Sequence, residues 1–367
     1  MLQSVIHRNM PALFRIATLL CMLLANLSAN AATIDRFERI TPERAAYSSQ
    51  KLAELQKFLE QSGSESLLLL HDGKVFFEWG DIRQKRSIHS MRKALLNGLF
   101  GQYATRHPLD LQQNLAQLAI DDVPTPLTAR EKQATLFDIL RSRSGIYLAA
   151  AAESPGMQAR RPQRGSAPAG TQFYYNNWDF NVAGAIFEQL SQQSIFDAFA
   201  EHLAKPLGML DFAHRVAPQA PESAKEMQQL DGYYQYEPER SRFHAYHFRL
   251  SAHDLALFGQ LFLNRGRWNG KQIISESWIQ ESTKPHSITQ AEYGLAYGML
   301  WDVLIPEADE DRPAFFHTGV DVHMLGIYPK HKLVLVHRVN TEQDYRFRER
   351  DLITLIRLVH AARLPQK

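Results

Sequence analysis

The strand-like segments of this chain lie at its two ends, and that placement limits the fold more than any other feature. Ser66-Leu67-Leu68-Leu69-Leu70-His71 is a short apolar run. Asp72-Gly73 is a hairpin turn signal, and Val75-Phe76-Phe77-Glu78-Trp79-Gly80 returns as its partner. The strand pattern comes back only after residue 290, as Ala296 to Val303, Ala314 to Thr318, Val322 to Tyr328 and Lys332 to Arg338, with a turn at Pro329-Lys330. A lone hairpin is marginal in water, so the first and last strands are expected to pair across everything between them.

What lies between, from about Tyr103 to Ser282, has mainly helical spacing. Short helices are expected near Leu111 to Leu118 and from Thr128 to Leu140. Val182 to Leu190 and Ile195 to Leu203 are amphipathic, and Ser251 caps a helix with Leu255, Phe258, Leu261 and Phe262 on one face. Residues 148–170 read as a long loop carrying Arg160, Arg161 and Arg164. Helices at Ser49 or Gln50 onward and at about Asp344 to Ala362 flank the two strand regions. The expected fold is α/β (α+β). A mainly antiparallel sheet is built from both chain ends (45–102 and 290–365) and flanked by helices, with an inserted all-helical lobe (103–289).

The first 31 residues resemble a secretory signal peptide. His7, Arg8 and Arg15 precede the apolar run Ile16 to Leu27, and Ala29-Asn30-Ala31 supplies a small-x-small cleavage site. The run is short of the roughly 20 residues that span a membrane, so export without a stable membrane anchor is expected. Cys21 is the only cysteine, which excludes a thiolate metal site or a cysteine nucleophile in the mature chain. Without the leader's two arginines, 39 basic residues balance 39 acidic ones. No basic stripe with interleaved aromatics points to nucleic acid.

Chemistry enters at Ser90-Met91-Arg92-Lys93, which leads into the apolar run Ala94-Leu95-Leu96-Asn97-Gly98-Leu99-Phe100-Gly101. A helix starting here puts Lys93 on the face of Ser90. A serine hydroxyl needs a neighbour to take its proton, and a lysine buried near a helix N-terminus is pushed toward the neutral form that can do so. By themselves these residues are equally compatible with Ser90 capping the helix and Lys93 reaching solvent. Two more stretches bear on the choice: Gly170-Thr171-Gln172-Phe173-Tyr174-Tyr175-Asn176-Asn177 and His317-Thr318-Gly319.

With Ser90-x-x-Lys93 they give SxxK, YxN and HTG in an order that resembles the penicillin-recognising serine hydrolases: class C β-lactamases, D-Ala-D-Ala carboxypeptidases and related esterases. Leu140 to Gly145, Pro206-Leu207-Gly208-Met209 and the start Ser251-Ala252-x-Asp254-Leu255 extend the likeness along nearly the whole mature chain. The resemblance implies that Ser90 is the nucleophile, Lys93 the adjacent base and Tyr175 a proton carrier, a neighbouring cation favouring its tyrosinate. Lys93 and Tyr175 both stay open as the general base. Asn177 would meet the acyl chain and help fix Lys93, His317, Thr318 and Gly319 would line the substrate, and the N–H groups of Ser90 and Val320 would hold the oxyanion. Tyr174 and Asn176 also fit YxN; Phe173 favours the later register.

His317 stands where β-lactamases carry lysine, and a histidine is only partly charged near neutrality. The glycine-rich continuation of the family is replaced by Val320-Asp321-Val322-His323-Met324. The expectation is therefore a secreted or periplasmic serine hydrolase acting through an acyl-enzyme on a small ester, amide or peptide, of esterase or D-amino-acid peptidase type. Alternatives are a true β-lactamase and a catalytically silent relative that binds peptidoglycan or a protein. No cofactor or metal is expected, and the oligomeric state is left open. His244-Ala245-Tyr246-His247 reads as a tyrosine-rich surface loop, Asp121-Asp122 as a solvated helix end, and His89 as either a cleft-lining or a packing residue. Arg160, Arg161 and Arg164 form either a solvated loop or a site for an acidic tail.

Overall fold

The computed structural model describes residues 37–308 and 310–365; the leader-like residues 1–31, with Cys21 and the Ala31 junction, lie outside them. Asp72 and Gly73 both take positive φ, 50° and 77°, the two-residue turn whose twist matches its strands. They join β1 (Ser66–His71) to β2 (Lys74–Gly80). On its other edge β1 pairs with β14 (Leu333–Arg338), Ser66 opposite Arg338 and His71 opposite Leu333. This is the pairing across the insertion that the two-ended strand pattern requires.

Between these edges the chain forms β3 (Arg86–Ser87), β4 (Val216–Ala217), β5 (Gly232–Gln235), β6 (Ala245–Leu250) and a small ribbon, β7 (Arg267–Trp268) with β8 (Lys271–Gln272). Then come β9 (Ser287–Gln290), β10 (Leu295–Tyr297), β11 (Asp302–Leu304), β12 (Phe315–Gly319) and β13 (His323–Tyr328). The main sheet runs β2-β1-β14-β13-β12-β11-β10-β9, and a smaller one β3-β6-β5-β4.

Helices cover both faces of the main sheet, which is why its central strands read as unbroken apolar runs. Alternate side chains of β1 and β14 (Leu67, Leu69, Leu333, Leu335) share one core with α1 (Ser49–Ser62) and α5 (Glu349–Ala361). Leu68 and Leu70 face the other way and are equally buried. Each such leucine contributes roughly 1.5–3 kcal/mol. On that second face lies α4 (Ala252–Leu263), capped as expected by Ser251, which accepts from Asp254 N at 3.0 Å. A Cβ on Gly259 would lie 2.8 Å from Val334 and 3.0 Å from Leu325, so the glycine lets α4 ride close on the sheet.

Four sequence expectations change. The short helix expected near Leu111 to Leu118 is a series of turns with one bridge, Asn114 to Thr135. The helix expected from Thr128 to Leu140 is a 3-10 turn, Glu131–Gln133, and a short helix, Leu136–Leu140. Thr135 and Asp138 close a capping box that restarts the helix there, at 3.0 and 3.1 Å. The strand expected from Ala296 to Val303 divides into β10 and β11 around a turn at Leu300 (φ 61°). The inserted region is not all-helical. His244-Ala245-Tyr246-His247, taken for a surface loop, enters β6, which pairs with β5, His247 opposite Tyr233. Helical periodicity on either side concealed these short strands.

Buried polar groups fasten the two sheets together. Arg338 on β14 donates to Leu250 O (2.7 Å), Ser87 O (2.8 Å) and Arg86 O (3.0 Å). His337 bonds Ser64 Oγ and Val322 O, both at 2.8 Å. Burial pushes His337 down to about 3. An unfolded histidine titrates near 6.5, so below that pH the unfolded chain takes a proton that the folded one refuses. Stability is therefore full above about pH 6.5 and falls as pH drops toward 3, by at most about 1.4 kcal/mol per pH unit for each such histidine. The urea midpoint should fall between pH 7.5 and pH 5, and His337→Gln should flatten that slope; an unchanged slope would show that His337 is not held neutral.

Candidate active site

The chain enters the site through a local conformation that few residues adopt. Ile88 N bonds Phe248 O of β6 at 3.0 Å, and His89 then takes φ 47°. Ser90 follows in a 3-10 turn, His89–Met91, so it precedes α2 (Arg92–Arg106) instead of lying within its first α-turn. The face of α2 read as apolar is enclosed, with Ala94, Leu95, Leu96, Leu99 and Phe100 inaccessible to solvent.

Lys93 Nζ lies 3.0 Å from Ser90 Oγ, and Lys93 is 1% exposed. The amine sits 4.7 Å from the Tyr175 ring centroid and 4.6 Å from that of Phe180. Burial in this aromatic surround, then the charge of Arg92, hold Lys93 well below the ordinary lysine value, with Asp302 acting the other way. A neutral amine presents its lone pair, so the serine hydroxyl can donate along this line.

Tyr175 is placed by the residues around it. Ser142 Oγ donates to Tyr174 O at 2.6 Å and accepts from Asn176 N at 3.0 Å. Asn176 caps α3 (Asn177–Ser191), accepting from Trp178 N at 3.2 Å. The Tyr175 hydroxyl hydrogen-bonds the Ser90 side chain. Burial, the largest influence, moves the phenol well above its ordinary value. That reverses the expectation of a tyrosinate: the neighbouring lysine is itself discharged and supplies little attraction. Tyr174 points elsewhere, donating to Met157 O at 2.8 Å, so Tyr175 is the tyrosine of this cluster.

The remaining elements surround the pair. Asn177 donates its amide to Ala152 O at 2.6 Å, while its Oδ1 is buried without a partner among the described residues. The amide nitrogen expected to serve the acyl chain and Lys93 is therefore committed, and the oxygen is what Asn177 has to offer. On β12, a Cβ at Gly319 would lie 2.6 Å from Ile88 O; only glycine lets this strand end approach the backbone beside Ser90. Val320, a β-branched residue, follows at φ 44° and is 44% exposed, an uncommon strain of the kind found at binding sites.

His317 is 1% exposed, with Nδ1 2.9 Å from Thr318 O. Nδ1 therefore carries the proton and Nε2 is an acceptor, buried without a partner. Burial, then Lys93, brings it down to about 3, so this histidine is neutral and not the partly charged group expected.

One group had no sequence signal at all. Asp302 lies in what reads as an uninterrupted strand, yet burial lifts its carboxyl to about 7, with Lys93 opposing and Asp321 adding to the rise.

The other sequence candidates lie in separate structural settings. Arg161 pairs with Glu153, and Arg164 with Glu131 at 2.6 Å; part of their loop is a short helix, Pro155–Arg160. Asp122 is buried, not solvated, and accepts from Trp178 Nε1 (2.7 Å) and Ser241 Oγ (2.8 Å). His244 faces Glu188 at 3.5 Å and His247 faces Gln235 at 2.9 Å, so the two do not converge. Ligand atoms of Asp211, His253 and Asp254 do cluster. However, Asp254 already accepts from the Asp211 and Phe212 N–H groups and Asp211 from Ser251.

A family model described as Beta-lactamase matches residues 55–358. No curated protein matches the chain. Among solved structures, a Bacillus anthracis protein described as a 6-aminohexanoate-dimer hydrolase is similar at 19% identity and TM-score 0.61, over 90% of this chain and 89% of that one. A penicillin-binding protein homologue from Caulobacter crescentus is similar at 15% identity and TM-score 0.61, over 86% and 98%. EstCE1, a hydrolase with promiscuous acyltransferase activity, is similar at 14% identity and TM-score 0.58, over 85% and 98%. At these identities the likeness is one of fold.

Placing Tyr175 on Ser90, and Tyr174 on Met157, separates the two tyrosines experimentally. Tyr175→Phe should slow fluorophosphonate labelling of Ser90 by about 100-fold or more, and Tyr174→Phe by only a few-fold. The opposite order would move the active tyrosine to Tyr174.

Proposed function

This chain belongs to the beta-lactamase family, and we propose that it is an exported serine hydrolase, secreted or periplasmic, that cleaves an ester or amide through an acyl-enzyme. The observation that carries this reading is the Ser90 hydroxyl held between an amine discharged by burial and a protonated phenol. No described helix is long and apolar enough to cross a membrane, in keeping with a chain released after its leader is removed.

In this scheme Ser90 Oγ attacks the carbonyl carbon and its proton passes to Lys93 Nζ. The oxyanion lies between the backbone N–H groups of Ser90 and Val320, each such donor worth about 2.7–4 kcal/mol. The departing alkoxide or amine takes the Tyr175 proton, which Lys93 replaces. A water then enters where the leaving group stood, gives its proton back through the same pair and releases the acid from Ser90.

Neutral His317 favours esterase or D-amino-acid peptidase chemistry over β-lactam hydrolysis. It offers no fixed charge to a carboxylate on the leaving-group side, and Asp302 and Asp321 make that side acidic.

Fluorophosphonate should add to Ser90, and Ser90→Ala should abolish both the adduct and turnover of p-nitrophenyl esters; turnover persisting in Ser90→Ala would remove the scheme. With Lys93 as base, kcat/KM should rise with pH through a step well below the ordinary lysine value. It should fall again only above the ordinary tyrosine range. A rising limb near 10 would show a charged, solvated Lys93. For export, mass spectrometry of the secreted or periplasmic protein should find an N-terminus at Ala32; an intact Met1 start would argue against cleavage.

A further inference from the structure

Beside the reacting trio stands a charge that the scheme does not use. Arg92 is 3% exposed. Its Nε and one terminal nitrogen are enclosed without a hydrogen-bond partner, and no carboxylate pairs with it among the described residues. It lies against the Tyr246 ring, with Cζ 5.3 Å from the centroid, and the Tyr246 hydroxyl is itself buried without a partner among the described residues. The carboxylates that act on the neighbouring tyrosines are committed elsewhere. Glu342 takes Arg249 at 2.7 Å and Ser87 N at 2.8 Å, and Glu188 takes Tyr234 and Ile195 N. Arginine keeps its charge at any ordinary pH, and a buried guanidinium without an acceptor is strongly unfavourable. The arrangement makes physical sense if the acceptor arrives from outside.

The position says where on a substrate that acceptor would be. Successive residues of a helix diverge by about 100°. Lys93 turns toward Tyr175 and Phe180, whereas Arg92 turns toward β6 and lies over Tyr246. Its charge acts on Lys93, Tyr175 and His317 in the reacting cluster and on His247 and Tyr233 of the hairpin. It therefore lies between the nucleophile and the β5–β6 hairpin. There Tyr233 stacks on His247 (4.8 Å, 20°), and both rings, like His89 and Ser90, keep part of their surface exposed. A leaving group must face Tyr175 to receive its proton. The part of the substrate turned the other way, toward Arg92, is the acyl chain.

We propose that Arg92 binds a carboxylate carried on the acyl portion of the substrate, making the preferred substrates half-esters or half-amides of short dicarboxylic acids. The inference rests on the acyl-enzyme reading above. A guanidinium fork matches a carboxylate with two parallel hydrogen bonds, whereas the side of Asp302 and neutral His317 offers no positive charge to one placed on the leaving group. Arg92 thus selects which end of the substrate bears the charge.

The test compares mono-p-nitrophenyl glutarate with p-nitrophenyl valerate, equal in chain length and different in the terminal carboxylate. The wild type should favour the glutarate by at least about ten-fold in kcat/KM, chiefly through KM. It should not favour 4-valeryloxy-3-nitrobenzoate, whose carboxylate is on the phenol. Arg92→Met should reduce the glutarate-to-valerate ratio by about ten-fold or more, and Arg92→Lys should retain part of it. Arg92 also acts on Lys93, so both esters shift together in these variants, and only the ratio reports recognition. A wild-type ratio near one, or a ratio unchanged in Arg92→Met, overturns the proposal. Should the variants not fold, competitive inhibition of the wild type by glutaric acid monoamide but not by valeramide decides, and equal inhibition overturns it. Turnover of both esters by Ser90→Ala sinks the acyl-enzyme reading itself, whereas Ser90-dependent turnover without preference sinks only the role of Arg92.

Discussion

The proposed chemistry depends on removing one lysine from water. Lys93 has almost no exposed surface, and aromatic rings flank its amine. Desolvation penalises the ammonium and leaves a lone pair facing Ser90. The same exclusion keeps Tyr175 protonated and His317 neutral. In the proposed scheme the reacting cluster is Ser90, Lys93 and Tyr175, three uncharged groups that pass one proton with no ion pair to break. Arg92 reinforces this by placing a permanent positive charge beside the amine.

Desolvation of that degree needs walls from distant parts of the chain. The β1–β14 pairing closes the main sheet across the insertion. Arg338 ties that sheet to the backbone of β3 and β6, just before the turn that carries Ser90. Gly319 lets β12 approach Ile88 at a distance that a Cβ would forbid. Ser142 holds the backbone on either side of Tyr175. Scaffold and site are one arrangement, because the hydrogen bonds that join the sheets also hold the backbone just before Ser90.

Much of this was legible in the residues. The Asp72-Gly73 turn, the Ser251 cap and the apolar face of α2 are local signals, and each formed the expected element. Elements decided by partners were harder to read. The segment His244 to His247 looks like a loop until β5 lies beside it, and Asp122 looks solvated until Trp178 and Ser241 cover it. Asp302 could not be distinguished from its strand neighbours, because what sets it apart is its burial by remote segments, with Lys93 and Asp321 acting on it.

The sequence by itself determined the two terminal strand regions with their flanking helices, the candidate nucleophile with its lysine and the family resemblance, since each depends on residues close together in the chain. Tertiary structure alone decided the charge states: a tyrosine expected as tyrosinate is a phenol, a histidine expected to be partly charged is neutral, and an arginine is enclosed without a counter-charge. The reason is physical. Whether a group ionises depends on how much water its neighbours displace and on which charges they bring, and those neighbours come from remote positions along the chain.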